Sequence, residues 1–277
     1  MNGTFFSLNP GANIFKEIKI QQPKWWTLLR EDKELYIEIR KDNYINVYYH
    51  GGCLAKIEYK NGFIAKTHQK YLGDCEPRGK GNKGTDKFEY DTIDLAKLDN
   101  TLIINIKERI KIDYLRHIEN EKPTEKWIQG KLITGYSKYI DSEFQFNKDI
   151  EIGRLRIDLI ELSNDVLSFV ELKGIFDSRL RNDEYRNPKV PEIIEQMDKY
   201  KLFINKYEND IIEYYKKLIE IKNSLGLTTI YKNKIELNKK PKLIIVNTYK
   251  KMTKGREARI RDIKYLLDKH EINYIFE

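Results

Sequence analysis

The sequence predicts an α/β chain of the α+β kind, with an antiparallel β-rich N-terminal domain over residues 1–90 and a mixed domain over residues 91–277. Three observations carry this reading. Residues 34–72 alternate apolar and polar side chains in short runs separated by turn residues, as an antiparallel meander does. Residues 94–139 carry apolar side chains at helical spacing on either side of Pro123. The remainder reads as a strand, a hairpin, a long helix, and then strand, helix and strand. The second half is thus ordered α-β-β-β-α-β, with additions.

Residues 1–15 lack a basic stretch followed by a long apolar one, so no signal peptide is expected. No apolar run approaches the ~18 residues that span a bilayer, and the expected location is cytoplasmic. Residues 23–29, PKWWTLL, read as a short buried segment. Trp25 and Trp26 suit core packing first and a base-stacking surface second. Strands are expected at 34–40, 44–50, 53–59 and 63–72, with turns at Asp42-Asn43, Gly51-Gly52 and Asn61-Gly62. Tyr36, Tyr44, Tyr48, Tyr49 and Tyr59 among lysines and arginines offer a nucleic-acid-binding sheet, although tyrosine is also a good strand former.

Residues 73–88, GDCEPRGKGNKGTDKF, read as a glycine-rich basic linker. Leu95, Leu98, Leu102, Ile106, Ile110 and Leu115 mark a helix over 94–119. After Pro123, Thr124 can cap a second helix over 124–139 that buries Trp127, Ile128 and Leu132; Glu125 and Gln129 share one of its faces. A strand is expected at 144–146.

Residues 153–174, GRLRIDLIELSNDVLSFVELKG, carry the chemistry. Strands over 155–162 and 166–173 flank Asn164-Asp165, a pair suited to a two-residue hairpin turn because both residues tolerate positive φ. That turn fixes the register. Ile160 then faces Phe169, Leu162 faces Leu167, Asp158 faces Glu171, and Lys173 lies opposite Arg156. Two carboxylates opposed on an otherwise apolar face repel unless one is protonated or a cation lies between them. Mg²⁺ or Mn²⁺ suits such oxygen donors, and Lys173 could hold a water or balance a phosphate. The plainer alternative is an exposed hairpin with ordinary surface charges.

After Lys173 the segment GIFDSRLRNDEYRNPKVP is basic, and Arg179, Arg181 and Arg186 suit bidentate phosphate contacts. Pro191 opens a long helix over 191–221, with Gln196 and Tyr200 four apart on one face. A strand at 242–248, a helix at 255–270 and a strand at 272–277 complete the chain. Its 51 Lys+Arg against 43 Asp+Glu give a net charge of +8, which favours a polyanionic partner without deciding the fold.

Asp158, followed after twelve residues by Glu171-Leu172-Lys173, resembles the PD-(D/E)XK nuclease superfamily, with Ile157 where the motif name has proline. Gln196-x-x-x-Tyr200 resembles the extra motif of its RecB-like branch. The resemblance covers residues ~105–277 and implies a restriction-endonuclease-like α-β-β-β-α-β core. It also implies a Mg²⁺- or Mn²⁺-dependent nuclease that hydrolyses phosphodiester bonds, in DNA before RNA. Asp158, Glu171 and the Leu172 backbone carbonyl would hold the metal, and Lys173 would assist the attacking water. Glu125 would stand where relatives place a helical acidic residue, and Gln196 and Tyr200 would line the cleft. The two cysteines, Cys53 and Cys75, are too few for the four-cysteine iron–sulfur cluster of some relatives. The alternative is a non-catalytic nucleic-acid-binding protein on a nuclease-like fold.

Overall fold

The computed structural model of the chain describes residues 8–72, 90–119, 123–147, 149–181, 191–230 and 234–277. Two short helices open it, α1 (Asn13–Gln21) and α2 (Lys24–Glu31). They bury Phe15, Ile18, Trp25, Trp26 and Leu29. Trp25 meets Trp26 and Phe63 edge-on, with ring centroids 6.1 and 5.1 Å apart. The tryptophan pair is therefore core, as its first reading had it.

An antiparallel sheet follows in the order β1 (Leu35–Arg40), β2 (Tyr44–Tyr49), β3 (Gly52–Tyr59), β4 (Phe63–His68) and β5 (Tyr90–Ile93). Asp42 and Asn43 turn β1 into β2 with φ of 69° and 58°. The fourth strand is shorter than expected. Its ladder with β5 ends at His68↔Tyr90, and residues 69–72 coil into helix α3 (Gln69–Leu72). Through β5 this sheet runs past residue 90; the linker read at 73–88 lies outside the described residues. Tyr36 and Tyr49 are buried, and Tyr36 stacks on Tyr48 at 5.2 Å, so much of the tyrosine face serves packing.

The stretch read as one helix from residue 94 is a 3-10 turn at Leu95–Lys97 and then α4 (Asn100–Glu119). Asp94 and Asp99 cause the interruption: each side chain accepts a downstream backbone N–H and starts a new turn. Thr124 caps α5 (Glu125–Gly135) by accepting the Trp127 N–H at 3.2 Å. This helix stops four residues short of expectation, because β6 (Tyr139–Phe146) takes over. Asp141 and Ser142 can be buried there since Arg40 reaches across from β1. Its Nη1 lies 3.2 Å from Asp141 Oδ1 and 2.5 Å from the Ser142 carbonyl.

The remaining elements are β7 (Leu155–Ser163), β8 (Val166–Gly174), a 3-10 turn at Ser178–Leu180, α6 (Glu192–Lys206), α7 (Glu208–Ser224), β9 (Glu236–Leu237), β10 (Lys242–Val246), α8 (Lys254–Lys269) and β11 (Asn273–Phe276). The single long helix expected from Pro191 is two. Tyr207, at φ −118° and ψ 24°, leaves the helical region between them. The second sheet is mixed, in the order β11-β10-β8-β7-β6, with β9 also on β8. β6, β7 and β8 are antiparallel; β8, β10 and β11 are parallel. The chain is thus an α+β structure with one antiparallel and one mixed sheet.

Pleating sends alternate side chains of β7 and β8 to opposite faces. Leu159, Val170 and Leu172 pack with Ile128 and Leu132 of α5. On the other face Phe169 meets Phe203 of α6 and Tyr215 of α7. The two sheets share one continuous apolar cluster. Among the described residues no helix is long and apolar enough to cross a membrane.

Candidate active site

The hairpin turn sets the site. Asn164 and Asp165 adopt φ of 50° and 67°, as a type I′ turn requires, and the ladder runs from Ser163↔Val166 to Leu159↔Val170. Ile160↔Phe169 and Leu162↔Leu167 pair as expected. Beyond Leu159 the regular pairing ends. Asp158 therefore does not simply face Glu171: its Oδ2 accepts the Leu172 N–H at 2.9 Å, taking over a ladder bond. The ladder with β8 does not reach Arg156 either, so the expected pair with Lys173 is not formed; on its other side Arg156 pairs with Gln145 of β6.

Asp158, Glu171 and Lys173 nevertheless line one cleft of about 300 Å³, together with Glu125, Gln129, Arg179 and Gln196. Glu171 and Lys173 are 2 % and 1 % exposed, which is rare for charged groups and requires pairing. Lys173 Nζ contacts Glu171 Oε1, donates to the Leu172 carbonyl at 2.9 Å, and lies 3.6 Å from Glu125 Oε1 and 3.9 Å from Asp158 Oδ2. Burial opposes its charge, but Glu171, Asp158 and Glu125 together raise its pKa. Asp158 is raised well above the ordinary aspartate value, by burial first and the Glu171 charge second.

The other oxygen of Glu171 is held by α6. The Tyr200 hydroxyl sits 2.5 Å from Glu171 Oε2 and 2.5 Å from the Arg156 carbonyl, and accepts from Gln196 Nε2 at 2.8 Å. Burial and the Glu171 charge keep this phenol protonated. The four-residue spacing of Gln196 and Tyr200 thus ends in a relay onto a buried carboxylate.

Glu125, on the first turn of α5, accepts from Arg179 Nη2 at 3.1 Å. Burial pushes its pKa up to about 7 against the pull of Lys173, and a hydrogen bond to Asp177 adds to the rise. Burial acts against charge on Asp177 too, yet its bonds with Arg179 and Glu125 hold it well below the usual carboxylate range. Arg179 is clamped by Asp177 at 2.6 and 3.0 Å and forms a wall of the cleft. Arg181 is exposed, and Arg186 lies outside the described residues.

Sequence reasoning missed two members, and it placed a third, Gln129, on the Glu125 face without giving it a role. Asp177 shows itself locally only as the cap of a 3-10 turn, where it accepts the Arg179 N–H at 2.8 Å. Glu143 enters the cleft from β6 with φ of 55° and pairs with Arg156. Gln129 is 2 % exposed and donates to the Asp158 carbonyl at 2.5 Å, so it fixes the strand that carries the carboxylate.

The oxygen donors fit a hard divalent ion in kind: two carboxylates and a carbonyl. Five carboxylates at the site, Glu125, Glu143, Asp158, Glu171 and Asp177, face four cations, Lys126, Arg156, Lys173 and Arg179, and around Lys173 itself three carboxylates share one ammonium. Added positive charge would relieve that imbalance. In arrangement the fit is looser. Among the described residues no three or more His, Cys, Asp or Glu side chains gather into a metal-holding group. Compared with protein-family models, with curated proteins and with solved structures, the chain matches none.

Proposed function

We propose that the protein is a metal-dependent nuclease of the PD-(D/E)XK type that hydrolyses phosphodiester bonds, in DNA first. The observation that carries this is the meeting of Asp158, Glu171 and Lys173 in one cleft, with Tyr200 and Gln196 behind Glu171. The order β6-β7-β8-β10-β11, with α5 before it and α6 and α7 between β8 and β10, supports a restriction-endonuclease-like core.

Asp158, Glu171 and the Leu172 carbonyl would hold the ion. Once bound, Mg²⁺ or Mn²⁺ would supply Lewis acidity and neutralise phosphate charge. Tyr200 and Gln196 keep Glu171 in place, and Gln129 keeps the Asp158 strand in place. Lys173 orients the attacking water or meets charge developing on the phosphate. Glu125, poised near neutrality, can exchange a proton with water at the cleft.

Cleavage of single- and double-stranded DNA in Mg²⁺, Mn²⁺ or EDTA tests this, with Asp158→Ala and Lys173→Ala alongside. Ion-dependent cleavage lost in both variants is expected. Cleavage that survives EDTA or either substitution would sink the assignment. The second reading, a nucleic-acid-binding protein without catalysis, is favoured by the lack of a gathered metal-holding group among the described residues. It predicts salt-sensitive binding with no cleavage under any metal.

A further inference from the structure

A second cavity, of about 270 Å³, opens beside the carboxylate cleft, and Lys126, Glu143 and Arg156 line both. The two spaces are thus neighbours across one shared wall. The second is bounded on its far side by the N-terminal sheet, through Tyr44, Asn46 and Tyr48 of β2. Its volume falls just under the range of about 300–1,000 Å³ common for drug-sized ligands, which suits a single planar ring system.

The wall chemistry is specific. Asn46 Nδ2 donates to the Tyr48 hydroxyl at 2.8 Å, while its Oδ1 is enclosed and has no partner. That oxygen is closed to solvent, so Asn46 acts at the wall through its hold on the Tyr48 hydroxyl. Tyr48 is fixed by its stack on Tyr36 and by Arg40, whose guanidinium carbon lies 5.4 Å from the ring centroid. Tyr44 is half-buried and lines the cavity, with Lys56 Nζ 4.4 Å from its ring centroid. Lys126 is exposed on α5, one residue after Glu125. An aromatic ring and a cation beside one small space, next to the carboxylate cleft, match a nucleobase on its phosphate backbone: π-surface and negative charge.

We propose that this cavity is a base subsite, taking one unpaired nucleobase of the strand whose phosphate lies in the carboxylate cleft. The proposal rests on the nuclease reading and sharpens it to substrates that are single-stranded next to the reacting phosphate. A base held in a duplex cannot enter without leaving its stack.

The test uses the full-length protein and two readouts. Anisotropy in EDTA compares a labelled oligothymidylate with an abasic strand of equal length. Wild type should bind the base-bearing strand roughly tenfold more tightly. Tyr44→Ala should bring its affinity down toward that of the abasic strand, whereas Tyr44→Phe should keep it. Binding of a blunt duplex should be unchanged in both variants. Equal binding of the two strands by wild type, or a base preference undiminished in Tyr44→Ala, would overturn the subsite. Mn²⁺-dependent cleavage by the same preparation would then still uphold the nuclease reading, so the two fail separately. Absence of both binding and cleavage would overturn both.

Discussion

Tyr200 reaches from α6 to place its hydroxyl 2.5 Å from Glu171 Oε2, and so ties the helix to a carboxylate on a central strand that is 2 % exposed. Tyr200→Phe removes one partner from a buried charge and leaves Gln196 Nε2 without its acceptor. A hydrogen bond to a charged group contributes about 1.5–3 kcal/mol, so a loss of that order is expected in denaturant unfolding. If the nuclease proposal holds, kcat falls with it, because Glu171 keeps only its contact with Lys173. Unchanged stability would show that the hydroxyl is not coupled to Glu171.

Much of this site was legible because it is local. A two-residue turn with two residues tolerant of positive φ sets the register of the hairpin as far as Leu159↔Val170, and Asn164 and Asp165 adopt that geometry. The four-residue spacing of Gln196 and Tyr200 likewise gives a shared helix face wherever the helix lies. What escaped depends on distant partners. Asp141 and Ser142 look unsuited to a buried strand until Arg40, about a hundred residues earlier, satisfies them. Asp177 joins Glu125 only because the 3-10 turn at Ser178–Leu180 folds back over the start of α5. The break at Tyr207 was hidden since Phe203, Ile204 and Ile211 keep apolar positions on both sides of it.

Glu125 makes stability depend on pH. Its folded pKa of about 7 lies above the ordinary 4.5. Between those values the folded state keeps a proton that the unfolded state has lost, so stability falls as pH rises through that window. Asp141, also pushed up to about 7 by burial and Glu38, adds to the same fall. Wild-type Tm in EDTA should therefore drop between pH 5 and 8. Glu125→Gln should show a shallower drop, since the Asp141 and Asp158 contributions remain while His50, whose pKa burial lowers, acts in the opposite sense in both proteins. An identical slope in the two proteins would place the titration elsewhere.

Glu38 and Lys222 bind the first sheet to α7. Lys222 Nζ donates to Glu38 Oε2 at 2.8 Å and to the Ile140 carbonyl at 2.6 Å, and Ser142 donates to Glu38 Oε1 at 3.0 Å. Removing one member leaves a buried charge uncompensated, at a cost of about 3–5 kcal/mol. Glu38→Ala should lose about that much in urea unfolding. The Glu38→Ala, Lys222→Met double variant should recover part of the loss, because no lone charge is left. A strictly additive double variant would mean that the two groups do not interact.

The N-terminal sheet also presses on the helix that carries Glu125. A Cβ built on Gly130 of α5 would lie 2.6 Å from His50 Cα, and His50 stacks on Trp127 at 4.0 Å. Gly51 next to it is equally tight: a Cβ there would lie 2.6 Å from Lys126 Cβ. Backbone meets backbone at Gly130, so neither side can yield by rotating a side chain. Gly130→Ala should therefore destabilise the protein by about 1–3 kcal/mol, as overpacking does, despite the better helix propensity of alanine. Gly135→Ala in the same helix is the control, because nothing lies within 4 Å of its added methyl. It should be neutral or gain up to about 1 kcal/mol. Since displacement of α5 also moves Glu125 and Lys126, Gly130→Ala should weaken oligonucleotide binding or cleavage at temperatures where it is still folded, while Gly135→Ala should not. Equal behaviour of the two variants would mean that the contact between His50 and Gly130 does not set the position of the helix.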